Sequence, residues 1–369
     1  MLEQKTETIT LQDLPMQLLE NLEHLGIQRP LLVCDAFFDT STIVQRLLAL
    51  PGIEMTIFHD FKANPDFNAV IQSIETFNIN GCDGIIALGG GSALDVAKGT
   101  KAYLGVRQFP LVQQLVGDNQ TPLIAIPTTA GTGSDATHFA VLFKQHVKYA
   151  VESPNLLPTK SLLVPALLTS LSYYQRKVGM LDTLCQAIES YWSLKATPES
   201  RRLARQAIQG FLDNYQGFLT KAQSGDKGML LAAHTAGRAI DITGTTAPHA
   251  MSYQLTTRFQ LAHGHGVALC LPKVWQYMLN QLPKMSLLER APLQNEFQEL
   301  AELLGQKSPE QAIAWFENLL ADLDLVAPGP VAVTIVKAMV AEVNVQRLQH
   351  NPMPLDKNAL TEIYNAILN

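Results

Sequence analysis

The sequence contains little charge, few aromatic residues and only four cysteines. Charged residues make up 16% and aromatic residues 7% of the 369 residues, and the formal net charge is −6. No run of lysines or arginines is long enough to follow a phosphate backbone, which excludes a nucleic-acid partner. The cysteines occur singly, without a CxxC pair. We therefore expect reduced, buried thiols and no disulfide framework.

The sequence also lacks a membrane segment and an export signal. No apolar stretch reaches the roughly eighteen residues that a membrane span needs, and the N-terminal residues have no apolar core of the signal-peptide kind. We therefore expect a cytoplasmic protein with no membrane partner. Hydrophobic residues make up 47% of the chain, which is typical of a compact enzyme, and the length predicts two domains.

The pattern of apolar residues changes near residue 168. Before it, short β-rich runs alternate with helical stretches, which predicts a mainly parallel sheet, and residues 139–151 predict a hairpin. The β-rich runs are 30–36, 54–60, 84–88, 122–127 and 161–165. After it, apolar residues recur at three- and four-residue spacing, which predicts helices. We predict an α/β domain over residues 1–167 and an all-α domain over residues 168–369.

A glycine-rich loop follows the third predicted strand and opens a helix. Its residues are Gly89, Gly90, Gly91 and Ser92. Glycines let backbone N–H groups approach an anion closely, and the helix adds its positive N-terminal end, so the loop could hold a pyrophosphate. The spacing does not match the dinucleotide motif GxGxxG. A simple tight turn is therefore the alternative.

A second loop, PTTAGTGSD, follows the fourth predicted strand. It offers the hydroxyl groups of Thr128, Thr129 and Thr132. Two such loops at the carboxyl ends of neighbouring strands favour a nucleotide site, because open α/β sheets bind ligands there. Asp35 ends the first predicted strand, where an acidic residue commonly binds the ribose hydroxyls of NAD and repels the 2′-phosphate of NADP. The alternative is an ordinary solvated aspartate in a loop.

The stretch MLDTLCQAIES suggests half of a metal site. Asp182 and Gln186 are four residues apart, so on a helix their side chains lie on one face and can reach one ion. We expect this helix to begin at Gly179. The alternative is an amphipathic helix whose Asp182 only stabilises the first turn.

His249 and His263 could supply the other half of that site. On one continuous helix they would lie about 21 Å apart, whereas two ligands of one ion each lie about 2.1 Å from it. They can share an ion only if the chain turns back between them. A helix that begins at Pro248 and ends before Gly264 would permit this.

These motifs, in this order, resemble the iron-containing, or group III metal-dependent, alcohol dehydrogenases. GGGSALDVAK, IPTTAGTGSD, MLDTLCQAIE and HAMSYQLTTRFQLAHGHG are similar to the family's GGGSxxDxAK, IPTTAGTGSE, GMDALxHAIE and HAMAHxLGxxxxxPHG. The resemblance implies a Rossmann-like N-terminal domain and an all-α C-terminal domain, the dehydroquinate synthase-like fold. It also implies one divalent ion, Fe²⁺ or Zn²⁺, hydride transfer between a primary alcohol and an aldehyde, and a homodimer. The cofactor implied is NAD(P), of which Asp35 favours NAD.

The family's functional positions carry over to residues of this chain. The metal ligands implied are Asp182, Gln186, His249 and His263. The nucleotide residues implied are Asp35, the two loops and two more positions, Asp95 and Lys148. Lys148 would contact the nicotinamide ribose, or would be an ordinary exposed hairpin lysine.

Two of these positions depart from the family pattern. Gln186 replaces a histidine ligand, and a neutral amide binds Fe²⁺ or Zn²⁺ more weakly than imidazole does. It could be a weak ligand or a hydrogen-bond partner of bound water or substrate. Tyr253 replaces the second histidine of HAMAH, which is associated with proton transfer. We therefore expect Tyr253 or His265 to act beside His263 in catalysis.

The departures bear on the substrate. Gln186, Tyr253, His265 and His138 suggest a polar pocket, suited to a polyol or a sugar acid, and the altered motif resembles the 3-deoxy-manno-octulosonate 8-oxidase branch. Two alternative functions remain open at this point. One is a lyase of the dehydroquinate synthase type, and the other is a non-catalytic nucleotide-binding protein whose metal site has decayed.

Overall fold

The computed structural model describes residues 4–106, 119–144, 147–343 and 345–368. The chain divides into two units, Met1–Leu171 and Ser172–Asn369. Among the described residues, all strands lie in the first unit, and the second unit consists of helices and their connections.

The first unit contains a parallel sheet and a separate hairpin. Its strands are β1 (Lys5–Thr8), β2 (Pro30–Cys34), β3 (Thr56–Phe58), β4 (Gly84–Gly89), β5 (Leu123–Pro127), β6 (Phe139–Lys144), β7 (Val147–Glu152) and β8 (Lys160–Leu163). Among the described residues, six strands form the sheet in the order β1-β8-β5-β4-β2-β3, and all its neighbours are parallel. β6 and β7 pair in antiparallel fashion.

All five predicted β-rich runs form strands of this sheet, and the predicted hairpin is present. β1 is the strand that the apolar pattern does not predict. Its residues, KTET, are mostly exposed, because β1 pairs at the edge of the sheet with β8 alone. A polar edge strand carries too little apolar signal to be recognised from the sequence.

Helices cover both faces of the sheet. They are α1 (Leu14–Leu25), α2 (Thr42–Leu48), α3 (Phe67–Ile79) and α4 (Gly91–Tyr103). Alternate residues of the central strands point to opposite faces, so that Leu31 and Ile85 pack with α3 and α4 while Leu32 and Ile86 pack with α1 and α2. Burial on both faces explains why the central strands are almost continuously apolar.

The strand order changes direction between β2 and β4. β2 is followed along the chain by β3 on one side, whereas β4 and β5 lie on the other side. In open parallel sheets, ligands bind at the carboxyl ends of the strands that flank such a reversal. The segments that follow β2, β4 and β5 contain Asp35, the GGGS loop and the threonine-rich loop, respectively.

The second unit is helical, as predicted. Its helices are α5 (Tyr173–Trp192), α6 (Pro198–Leu219), α7 (Gln223–Thr243), α8 (Ala247–Phe259), α9 (His263–Gln281), α10 (Leu287–Leu303), α11 (Pro309–Asp322), α12 (Val333–Ala341), α13 (Val345–Leu348) and α14 (Lys357–Leu368). Among the described helices, none combines the length and the apolar character that crossing a membrane requires.

α5 is the central helix of the second unit. The prediction that it begins at Gly179 is wrong, because Ser172 and Gln175 form a capping box that starts the helix at Tyr173. Residues 180–192 are all buried, and α5 packs against α6, α7 and α9. Polar side chains on so buried a helix need partners within the protein or a bound ligand.

Candidate functional site

Three predicted metal ligands from three different helices come together in the second unit. Asp182 lies on α5, His249 on α8 and His263 at the start of α9. One ligand atom from each residue lies within 4.8 Å of the others. The Oδ1 atom of Asp182 is 3.3 Å from His249 Nε2 and 3.9 Å from His263 Nε2.

A reversal of the chain brings the two histidines together. α8 ends at Phe259, and Gln260 adopts a left-handed conformation with a φ of 55° before α9 begins. The ring centroids of His249 and His263 then lie 5.3 Å apart. Gly264 packs against α5, where a Cβ atom would overlap the carbonyl oxygen of Val178. Only a glycine therefore lets the start of α9 approach α5 this closely.

The cluster fits a divalent ion. Nitrogen and oxygen ligands lie about 2.0–2.2 Å from Zn²⁺, so that ligand atoms around one ion are about 3–4 Å apart, and the distances to Asp182 Oδ1 match. Asp182 and His249 are buried, whereas the side chain of His263 is 33% exposed. Three such ligands leave coordination positions open, which is typical of catalytic sites.

His249 is held between two carboxylates. Its Nδ1 atom makes a close hydrogen bond to Glu189 and its Nε2 atom faces Asp182. Burial lowers the pKa of His249, but the charges of Glu189 and Asp182 outweigh burial and raise the pKa to about 9. The two carboxylates thus favour a positive charge at this point of the cluster.

Gln186 lies one turn after Asp182 on the same face of α5, as predicted, and is 2% exposed. Its Oε1 atom is buried and makes no hydrogen bond with any residue that the structure describes. A buried amide oxygen normally has a partner. This acceptor is therefore suited to a ligand, either the ion itself or a molecule bound to it.

The two candidates for proton transfer have different surroundings. Tyr253 stacks on His263, with ring centroids 5.8 Å apart and an angle of 9° between the planes. His265 is buried, and its Nδ1 atom is 3.1 Å from the hydroxyl oxygen of Tyr174. Burial lowers the pKa of His265, and the Val326 backbone opposes this only in part. The structure thus places Tyr253, and not His265, in ring contact with the cluster.

The predicted nucleotide residues of the first unit lie together at the strand ends. The backbone N–H of Gly90 donates to Asp35 Oδ2 at 3.4 Å, and a Cβ atom on Gly89 would lie 2.7 Å from the same oxygen. Burial raises the pKa of Asp35, and the Gly90 hydrogen bond opposes this rise. Ser92 lies in the first turn of α4, whose N-cap residue is Gly90.

The threonine-rich loop packs directly on the GGGS loop. A Cβ atom on Gly90 would lie 3.2 Å from the methyl carbon of Thr129, and one on Gly91 would lie 3.0 Å from that of Thr132. The N–H of Thr128 donates to the Gly89 carbonyl at 3.0 Å. The glycines are thus required for the two loops to approach each other, as well as for an anion to reach their backbone.

Two further predicted residues lie on α4 and on β7. Asp95 Oδ1 accepts a hydrogen bond from the Ser134 hydroxyl at 3.3 Å, so it contacts the second loop from α4. Lys148 lies on β7 opposite Phe143, and its side chain is outside the described residues.

The sequence patterns did not single out Lys98 or Glu189. Lys98 is fully buried on α4, and its Nζ atom bonds to Ser134, Thr137 and the Phe139 carbonyl, which joins α4 to the second loop. A lysine inside an apolar helix face is the signal that could have identified it. Glu189 is seven residues after Asp182, and hence on the same helical face, which is also a readable signal.

Two family models cover nearly the whole chain. The model of the iron-containing alcohol dehydrogenases matches residues 7–165, and the model of the C-terminal part of the same family matches residues 177–368. The chain belongs to the iron-containing alcohol dehydrogenase family.

Individual relatives agree with this assignment. The phosphonoacetaldehyde reductase of Streptomyces viridochromogenes is 35% identical over 245 residues, which cover 62% of this chain and 61% of the reductase. The match thus spans less than two thirds of that relative. A 1,3-propanediol oxidoreductase structure is 25% identical, with a TM-score of 0.88 and full coverage of both chains. The sulfoacetaldehyde reductase of Bifidobacterium kashiwanohense, solved with NAD⁺, has a TM-score of 0.85 at 24% identity and covers 99% of this chain and 96% of its own.

These comparisons confirm the predicted family and the predicted fold. The matching models are those of iron-containing alcohol dehydrogenases, which is in line with the predicted enzyme class and with iron as one of the two predicted metals. The narrower resemblance to the 3-deoxy-manno-octulosonate 8-oxidase branch stays a prediction.

Proposed function

We propose that the chain is a metal-dependent, NAD-linked alcohol dehydrogenase that interconverts a primary alcohol and an aldehyde. The observation that carries this proposal is the buried cluster of Asp182, His249 and His263, whose ligand atoms are spaced for one divalent ion. Membership of the iron-containing family supports the same chemistry.

The three residues of the cluster share one task in this proposal, and two neighbouring side chains have others. Asp182, His249 and His263 hold Fe²⁺ or Zn²⁺, which would supply a Lewis acid for the oxygen of the substrate. Gln186 offers its amide oxygen to the ion or to the substrate. Tyr253, stacked on His263, is the side chain that we assign to proton transfer, because its hydroxyl can both donate and accept.

The loops of the first unit would bind NAD. The GGGS loop and the start of α4 present backbone N–H groups to the pyrophosphate, while Thr128, Thr129 and Thr132 serve the nicotinamide side and Lys148 its ribose. The carboxylate of Asp35 suits the ribose hydroxyls and would repel the extra phosphate of NADP. We therefore propose NAD as the preferred cofactor.

The substrate that we propose is a small polar aldehyde or the corresponding alcohol. Relatives act on phosphonoacetaldehyde and sulfoacetaldehyde, which are both short aldehydes with an anionic group. The polar side chains of Gln186 and Tyr253 beside the cluster agree with such a substrate, or with a polyol or sugar acid. The predicted homodimer and the predicted cytoplasmic location stay predictions.

The two alternatives have less support. The matching family models are those of alcohol dehydrogenases and not of lyases. A decayed metal site is disfavoured because the three ligand atoms of the cluster remain close enough to share an ion.

A substrate screen with metal analysis tests the proposal. Protein purified with added Fe²⁺ or Zn²⁺ should retain about one ion per chain and oxidise NADH with short polar aldehydes, as measured at 340 nm. The same screen with NADPH tests the role of Asp35. Protein that binds NAD but neither retains an ion nor turns over any aldehyde or alcohol would show that the proposal is wrong.

His263→Ala provides the decisive variant. It should lose retained metal and turnover together, while NAD affinity stays as in the wild type, because His263 lies in the other unit from the nucleotide loops. His24→Ala, an exposed histidine on α1, is the matched control and should change neither property.

A further inference from the structure

Glu189 is a fully buried carboxylate near the metal cluster, but it is not one of the three ligands. It lies on α5, three residues after Gln186, and is 0% exposed. A buried carboxylate is unfavourable unless hydrogen bonds or opposite charges compensate it. Its partners therefore show what holds the charge in place.

Four hydrogen bonds to Glu189 come from the start of α8. Its Oε1 atom accepts from the Thr246 N–H at 2.8 Å, from the Thr246 hydroxyl at 2.9 Å and from the His249 N–H at 3.4 Å. Its Oε2 atom accepts the close hydrogen bond from His249 Nδ1. One carboxylate thus contacts both the backbone and the ring of a predicted metal ligand.

The carboxylate also caps α8 from another helix. Thr246 is the N-cap residue, and within the described part of the chain its own hydroxyl makes no capping bond to α8. Glu189 takes over that role, and its negative charge lies at the positive end of the helix. The first turn of α8, which carries His249, is therefore fixed relative to α5, which carries Asp182.

A third residue sets the direction of these hydrogen bonds. The indole N–H of Trp192 donates to the Thr246 hydroxyl oxygen at 3.0 Å. That oxygen can therefore give its own proton to Glu189. Because a carboxylate only accepts, His249 Nδ1 must carry a proton, and the Nε2 atom that faces Asp182 is the one left to bind an ion.

We propose that Glu189 is a positioning residue that presents His249 Nε2 to the metal ion by capping α8 and by keeping the proton on Nδ1. The proposal rests on the proposed function, since it needs the metal site to be real. Glu189 does not itself touch the ion. It acts through His249, as second carboxylates do in other metal sites.

Metal affinity measured against a chromophoric chelator tests this role. Glu189→Gln keeps the shape but offers an amide NH₂ that can donate to Nδ1, which allows the wrong tautomer. It should bind Zn²⁺ about 10- to 100-fold more weakly than the wild type and should change the visible absorption spectrum of bound Co²⁺. Thr246→Val, which loses one donor to Glu189, should weaken Zn²⁺ binding by less, and Thr246→Ser should restore it.

A matched control separates positioning from stability. Asp226 is another buried carboxylate of the same unit, paired with Arg176. Asp226→Asn should lower the unfolding midpoint but leave Zn²⁺ affinity and the Co²⁺ spectrum of the folded protein unchanged.

The outcomes are distinguishable. If the wild type binds Zn²⁺ and Glu189→Gln binds it equally well with an unchanged Co²⁺ spectrum, the positioning role is wrong and the proposed function stands. If the wild type binds neither ion, both are wrong. If Glu189→Gln does not fold, the Thr246 pair decides, and equal Zn²⁺ affinity of the valine and serine variants overturns the positioning role.

Discussion

Gly264→Ala should damage the metal site through packing alone. Gly264 follows His263 in the first turn of α9, where that helix meets α5. An added Cβ atom would overlap the Val178 carbonyl oxygen, lie 2.9 Å from the Val178 carbonyl carbon and lie 3.0 Å from Asp182 Cβ. The obstacle is helix backbone, which cannot turn aside as a flexible side chain can.

The required displacement can be compared with what a metal site tolerates. The new carbon must move from 2.9 Å to at least 3.4 Å from the Val178 carbon to reach an ordinary contact, a shift of about 0.5 Å, and the overlap with the oxygen demands more. Metal–ligand distances vary by only about 0.2 Å. His263 moves with Gly264, so the variant should bind the ion more weakly. The cost to stability should be only about 1–3 kcal/mol, less about 1 kcal/mol gained because alanine favours a helix.

The assay is Zn²⁺ affinity beside the unfolding midpoint. Gly266→Ala is the matched control, because its Cβ atom would lie 3.1 Å from the Ser252 carbonyl oxygen and its nearest neighbours would all belong to α8. Gly264→Ala should bind Zn²⁺ at least about tenfold more weakly, a loss of about 1.4 kcal/mol, whereas Gly266→Ala should bind it nearly as the wild type does. Equal affinity of the wild type and Gly264→Ala would refute the view that this close approach sets the ligand spacing.

Three further predictions concern single side chains. Lys98→Met leaves buried acceptors unpaired, so it should cost about 3 kcal/mol or more in urea unfolding and weaken NAD binding; an unchanged urea midpoint would contradict this. Burial lowers the pKa of Lys101 to about 8 from 10.5, so between these values the folded chain binds fewer protons than the unfolded chain and stability rises with pH. Lys101→Met should therefore stabilise the protein at pH 7 by up to about 3 kcal/mol. The free energy of unfolding of the variant should also change less between pH 8 and 10.5 than that of the wild type. The same pH dependence in both proteins would contradict this prediction. Gln186→His restores an imidazole and should tighten Fe²⁺ binding about tenfold, or about 1.4 kcal/mol. Competition with a chelator measures the Fe²⁺ affinity of the wild type and the variant. Equal affinities would mean that residue 186 does not reach the ion.

Local patterns predicted much of the fold because burial leaves a direct trace in the sequence. The central strands are apolar on both faces, and their continuous apolar runs therefore predict them from this sequence alone. Asp182 and Gln186 could be placed on one face because helical spacing alone decides it. The predicted start of α5 at Gly179 is wrong because the capping box at Ser172 is polar and carries no apolar periodicity.

Tertiary contacts were harder to predict. The spacing of His249 and His263 required a reversal of the chain but could not show that Gln260 provides it in a left-handed conformation. Tyr253 and His265 were equal candidates in the sequence, and only the packing of α8 against α9 separates them. The hydrogen-bond partners of Glu189 lie at the start of another helix, about sixty residues later in the sequence. A local sequence pattern cannot predict contacts at that separation.

The charges around the cluster explain why glutamine can replace histidine at residue 186. Two buried carboxylates, those of Asp182 and Glu189, flank His249, and their charges raise the pKa of His249 to about 9. A divalent ion held by Asp182, His249 and His263 would supply two positive charges beside these two carboxylates, so the buried charges would balance. Glutamine and neutral histidine carry the same charge, so the replacement leaves this balance intact. It changes only the strength of one donor, which is a smaller perturbation than the loss of Asp182 or Glu189 would be.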